Sequence, residues 1–223
     1  QDAQLPNGLI PDIAPEYVVF EGGFRDSPEW GSAAVVLPFM YYQYYGDPSL
    51  VTGYYEMMKR YVDYLSSTAT GHIVSHGLGD WYDYHPELPA GVSHNTPVPL
   101  VATAHYYMDI VYLAQAAEMA GRDEDARRYS SLAKEVKKSF NETFFDAGRK
   151  EYGTGSQASN ALPLFLDLVE PAYRKEVLNH LVKDIEAHGY KLTTGDVGNR
   201  YLFRTLADNG LNEVMYTMHN HRD

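Results

Sequence analysis

Residues Ser32 to Leu65 read SAAVVLPFMYYQYY, then GDP, then SLVTGYYEMMKRYVDYL. The first part is apolar almost all round, as in a helix covered on every side. Gly46-Asp47-Pro48 supplies a stop, a cap and a first-turn proline. In the last part Tyr54, Tyr55, Met58, Tyr61, Val62 and Leu65 recur at three-to-four spacing, with Glu56, Lys59 and Arg60 between them. That spacing predicts an amphipathic helix folded back on the first.

The same phrase returns three times. Thr96 to Ala120 is long and mostly apolar, Gly121-Arg122-Asp123 turns, and Glu124 to Phe145 is amphipathic. Ala158 to Val169 is apolar, Glu170-Pro171 turns, and Ala172 to His188 is amphipathic. Asn199 to Ala207 and Leu211 to Met218 flank Asp208-Asn209-Gly210. The chain thus predicts an all-α fold of about four helical hairpins within a single domain, residues 1–223. The spacing of Gly46, Gly121, Pro171 and Gly210 is irregular, unlike a tetratricopeptide array with its period of about 34 residues.

Turns inside the hairpins are short, whereas the links Glu21–Gly31, Ser66–Asn95, Asp146–Gln157 and Gly189–Gly198 are long and polar. In an antiparallel helical assembly such links gather on one face, where sites are built. The architecture this implies is an incomplete (α/α)₆ toroid, apolar helices inside and amphipathic ones outside. Four hairpins against the usual six leave the inner helices at both ends of the arc with exposed apolar faces, and chains with such faces associate.

Composition narrows the function. The 223 residues are 44% hydrophobic and 22% charged, which suits a folded globular chain. Tyrosine is in excess, 20 against 8 Phe and 2 Trp, and its ring-plus-hydroxyl chemistry suits wet pockets. A net charge of −12 repels phosphate backbones and anionic headgroups, so no nucleic-acid partner is expected. No apolar run is long enough for membrane insertion. Cysteine is absent, which excludes disulfides, thiolate metal sites and a cysteine nucleophile and leaves the compartment open.

Two links carry candidate chemistry. Glu21–Trp30, EGGFRDSPEW, reads either as a sugar-binding lip with Trp30 stacking on a pyranose, or as a loop capped by Asp26 or Ser27 with Pro28 in the next helix. His76–His94 contains Asp80-Trp81-Tyr82-Asp83-Tyr84, two carboxylates flanking aromatic rings. Carboxylates grip sugar diols and rings cover C–H faces; the competing reading is a structured loop around a packed tryptophan. The nine histidines include no HExxH, so no metal is expected; His219 and His221 would face apart on a helix. Tyr152-Gly153-Thr154-Gly155-Ser156-Gln157 follows a helix and turn, not a strand, so it reads as a hydroxyl-rich loop rather than a phosphate cradle, and so does Lys191 to Asp196.

These residues carry a resemblance. Asp26-Ser27-Pro28-Glu29-Trp30-Gly31-Ser32-Ala33 with Tyr45-Gly46-Asp47, then Gly79-Asp80-Trp81, Thr96-Pro97, Gly155-Ser156-Gln157 and Thr194-Gly195, is similar to bacterial α-L-rhamnosidases of glycoside hydrolase family 78. The resemblance runs in order along essentially the whole chain. It implies part of a toroidal catalytic domain that hydrolyses terminal α-L-rhamnosides with inversion and without a cofactor. Trp30 and Trp81 resemble the family's rhamnose-contacting tryptophans, and Asp80 follows as a further substrate contact. Ser32 stands where many members carry Asp, and the helix-capping role would pass to it. The family's general-acid segment, D-x-R-x-E-x-x-G-W, and its general-base segment, T-x-x-W-E, do not occur between Gln1 and Asp223. The implied partners are rhamnose-containing glycosides and flanking segments of the same polypeptide, and the chain on its own is expected to be inactive. Other readings are an unsaturated glucuronyl hydrolase-like enzyme, whose anionic substrates call for Arg and Lys in the links, and a non-catalytic helical scaffold for a protein partner.

Overall fold

The computed structural model describes residues 1–89 and 91–220, so His221 of the His219–His221 pair lies outside the described residues. The four expected hairpins are present. In chain order the helices are α1 (Pro28–Gly31), α2 (Ala33–Tyr45), α3 (Ser49–Gly53), α4 (Tyr55–Thr68), α5 (Val98–Met119) and α6 (Asp123–Phe144). A two-residue ladder follows, β1 (Phe145–Asp146) with β2 (Glu151–Tyr152), and then α7 (Gln157–Phe165), α8 (Arg174–Ala187), α9 (Asp196–Asp208) and α10 (Asn212–His219). Among the described residues no helix is long and apolar enough to cross a membrane.

The helix ends follow the sequence punctuation. Gly46 takes a left-handed conformation at φ 68° and returns its N–H to the Tyr42 carbonyl at 2.8 Å, which ends α2. At the far end of α5, Gly121 (φ 68°) lets Arg122 donate to the Ala117 carbonyl at 2.8 Å. Asp123, Glu124 and Asp125 then open α6, where carboxylates meet the positive end of the helix dipole.

The chain forms two compact units. The first comprises Gln1–Gly77 and His105–Ser139. Its core is built from Val35 and Phe39 of α2, Tyr55, Met58 and Tyr61 of α4, and Ile110 and Tyr129 of the second hairpin, all buried. Polar tips find partners at the core's edge: Tyr55 donates to Asp125 at 2.7 Å and Tyr129 to Asp63 at 3.0 Å. α2 departs from the sequence reading. Val35, Pro38 and Phe39 are covered, but Leu37, Tyr44 and Tyr45 are 58%, 76% and 73% exposed. Its apolar far side is an open face.

The second unit comprises Leu78–Ala104 and Phe140–Asp223. Leu162 and Leu164 of α7, Val177, Leu181 and Ile185 of α8, and Leu202 and Leu206 of α9 form its core. The β1–β2 ladder was not anticipated. Phe145 pairs with Tyr152 and Asp146 with Glu151, around a turn in which the Asp146 carboxylate accepts from Gly148 and Arg149 at 2.8 and 2.9 Å.

Candidate functional site

In the second unit three links meet. Tyr84 donates its N–H to the Thr193 carbonyl at 3.2 Å, and the Asn95 amide bonds the carbonyls of Tyr84 (2.7 Å) and Thr193 (3.3 Å). Gln157, buried at the start of α7, donates to the Lys191 carbonyl at 3.0 Å and accepts from the Thr193 N–H at 3.1 Å. Thr154 donates its hydroxyl to the Asn95 carbonyl. One side-chain amide in each of two links thus does what a sheet ladder does elsewhere, satisfying backbone groups of irregular segments.

A cavity of about 450 Å³ opens among these links, walled by Tyr84, His85, His94, Asn95, Thr154 and Thr193, with Asp184 and His188 at its side. That volume suits a small polar ligand. No lysine or arginine lines it. His188 Nδ1 stands 3.3 Å from the Asp184 carboxylate, whose pKa burial raises above the ordinary aspartate value.

The two carboxylates of the Asp80–Tyr84 run are both buried and both bind backbone. Asp80 accepts from the N–H groups of Gly195 and Gly198, at 2.9 and 2.6 Å, at the N-terminus of α9. Asp83 accepts from the N–H groups of His94 and Asn95 and from the Ser93 hydroxyl. Between them, Trp81 accepts from the Asp196 N–H through its carbonyl at 2.8 Å, and its half-buried ring sits 4.9 Å from Tyr82. Asp80 therefore holds the backbone that carries Trp81, and Trp81 itself does not line the cavity.

Burial raises the Asp80 pKa to about 6, against the lowering pull of its two backbone donors; the Asp83 and Asp196 charges push the same way as burial. In the first unit burial likewise raises Asp12 to about 6, although Ser27 donates to it. A carboxyl raised from 3.8 contributes stability that is complete below 3.8 and lost as pH rises through 6. The lowered carboxyls, Asp125 and Asp146 among them, act only below the ordinary range. The melting temperature should therefore fall between pH 5 and pH 7.5, and Asp80→Asn should flatten that slope. A melting temperature that rises across this window would contradict the assignment.

Trp30 belongs to the first unit and is half-buried at the end of its link, in α1. Pro28 occupies the first turn as expected, but neither proposed cap operates. Ser27 donates to the Gly23 carbonyl, and Asp26 receives the Tyr64 hydroxyl and stands 3.2 Å from His76 Nε2. Ser32 is not a side-chain cap either. Its hydroxyl donates at 2.7 Å to Asp109, a fully buried carboxyl of α5 that sequence reasoning passed over. Beside it lies the buried Tyr61, whose hydroxyl a Cβ on Gly31 would approach to 2.1 Å. Burial raises both pKa values well above their ordinary ranges, and for Tyr61 the Asp109 carboxyl is the largest charge contribution.

Comparison with known proteins follows the same lines. Residues 1–223 match the family described as the bacterial α-L-rhamnosidase six-hairpin glycosidase domain. An α-L-rhamnosidase of Streptomyces avermitilis is 30% identical over 98% of this chain and 20% of its own length, and one of Formosa agariphila is 29% identical over 98% and 23%. Among solved structures, an α-L-rhamnosidase from Dictyoglumus thermophilum superposes with a TM-score of 0.89 at 34% identity, covering 99% of this chain and 25% of that one. The Streptomyces avermitilis enzyme complexed with L-rhamnose gives 0.87 at 28% identity, covering 100% and 20%. The chain spans about a fifth to a quarter of the length of the curated relatives it matches. By fold and by sequence, this chain belongs to the bacterial α-L-rhamnosidase six-hairpin glycosidase family.

Proposed function

We propose that this chain is part of an inverting glycoside hydrolase that releases terminal α-L-rhamnose from rhamnosides, and that it supplies sugar contacts rather than the two catalytic glutamates. Family membership across residues 1–223 carries this reading. Trp30 and Trp81 are the stacking rings; Asp80 serves the substrate by fixing the loop of Trp81 against α9. In the intact enzyme one glutamic acid protonates the leaving oxygen while a second activates water from the opposite side, about 6.5–9.5 Å away. A cavity without lysine or arginine supports a neutral sugar over a uronate, which disfavours the glucuronyl hydrolase reading.

The test assays the purified chain on an aryl α-L-rhamnoside and titrates it with L-rhamnose. The expected result is no turnover above background, with measurable binding that Trp30→Ala or Trp81→Ala weakens roughly 5-fold through lost ring contact. Turnover that Glu29→Gln, Asp80→Asn or Asp83→Asn abolishes would overturn it, because the catalytic carboxyl would then lie within this chain.

A further inference from the structure

The polar pair beneath the Trp30 turn is unusual for a helical core. Asp109 sits in the middle of α5, fully buried; one carboxyl oxygen accepts the Ser32 hydroxyl and the other has no hydrogen-bond partner. The Tyr61 hydroxyl is also buried without a hydrogen-bond partner. Two unsatisfied polar atoms in one core cost stability that apolar side chains of the same shape would not. What this pair touches is Gly31 and Ser32, the two residues that follow Trp30. Ser32 is tied by its side chain to Asp109, and by its N–H to the Pro28 and Trp30 carbonyls. Gly31 rests on the Tyr61 hydroxyl so closely that no side chain fits there.

We propose that Asp109 is a positioning residue for Trp30: through Ser32, and with Tyr61 as the floor under Gly31, it fixes the turn that presents the indole. The consequence for sugar binding rests on the reading of Trp30 as a stacking ring; the positioning itself does not. Burial disfavours the ionised form of Asp109, and the Ser32 hydrogen bond opposes that shift. What Ser32 needs there is an acceptor oxygen, and asparagine, with the same shape and an uncharged oxygen, should supply it. A charge-dependent role would fail with asparagine, and a merely space-filling role would survive leucine.

The chain has only two tryptophans, so Trp81→Phe leaves Trp30 as the sole indole reporter. In that background Asp109→Asn should leave the Trp30 emission maximum and its acrylamide quenching unchanged. Asp109→Leu should red-shift the emission and raise the quenching with helix content retained. Ser32→Ala, a milder change, should give the same shift, and Asp109→Leu with Ser32→Ala should add nothing further. In protein with both tryptophans, Ser32→Ala should weaken L-rhamnose binding roughly 5-fold, the worth of one buried hydrogen bond. Unchanged Trp30 emission and quenching in Ser32→Ala, or an Asp109→Asn variant as impaired as the Asp109→Leu one, would overturn the proposal. A shifted Trp30 emission with unaltered rhamnose binding would uphold the positioning role and overturn the reading of Trp30 as a sugar contact.

Discussion

Asp80→Ala should destabilise the second unit by about 3–5 kcal/mol, because two buried N–H groups lose a charged acceptor at once. Gly195 and Gly198 sit at the first turn of α9, where backbone donors have no intrahelical partner. With alanine at 80 neither can reach water, since the whole side chain of Asp80 is enclosed. The melting temperature should drop by roughly 10 °C, at about 2–4 °C per kcal/mol for a chain of this size. Trp81 fluorescence should report the loss before helix content does, because the Asp196–Trp81 bond belongs to the same junction. A drop of under about 1 kcal/mol would mean that another group satisfies these donors.

Gly31→Ala should be costly for the opposite reason, too much matter rather than too little. The new methyl would lie 2.1 Å from the Tyr61 hydroxyl oxygen and 2.6 Å from the ring carbon bearing it. Tyr61 is enclosed on all sides and has no rotamer outside the core to move into. Overpacking of this kind costs about 1–3 kcal/mol, and the top of that range is expected. Tyr61→Phe alone should be neutral or stabilising by up to about 1 kcal/mol, since it removes a buried hydroxyl without a hydrogen-bond partner. Combined, the two changes should cost less than Gly31→Ala alone, the ring carbon at 2.6 Å keeping the relief partial. Urea midpoints of the three variants check this, and strict additivity would show that Gly31 and Tyr61 do not meet.

The hairpins were legible because their signals are local. Apolar residues three and four apart, with glycine or proline at each reversal, place α5, α6 and α8 to within a few residues. The exposed side of α2 was not legible in its own residues, since VVLPFMYY reads as covered on every side. The β1–β2 ladder escaped because two-residue strands have no periodicity to detect, although Asp146-Ala147-Gly148 between Phe145 and Tyr152 is a turn signal. For the site, the sequence picks out the links but not the tasks of their side chains. Asp80 and Asp83 read as hands for a sugar, yet both are spent on backbone donors. Ser32 reads as a cap and instead meets a carboxyl 77 residues away. Asp109 is one polar residue in an apolar run, and only the fold shows what it faces.

The Asp80 clamp also sets a timetable. Its two bonds join residues 115 and 118 positions apart, and the second unit resumes at Phe140 only after the chain has passed through His105–Ser139 of the first. On the ribosome, at about 5–20 residues per second, the Trp81 loop waits roughly 6–23 s for α9 to be made. Until then Asp80 lacks its acceptor role at α9, and the aromatic run Trp81 to Tyr84 is held only by nearby bonds such as those of Asp83 to Ser93, His94 and Asn95. Contacts of such long range fold slowly because the intervening loop must close before they reward it. The loop bearing Trp81 is thus among the last parts of its unit to become ordered during synthesis, and it is the part a chaperone would find still open.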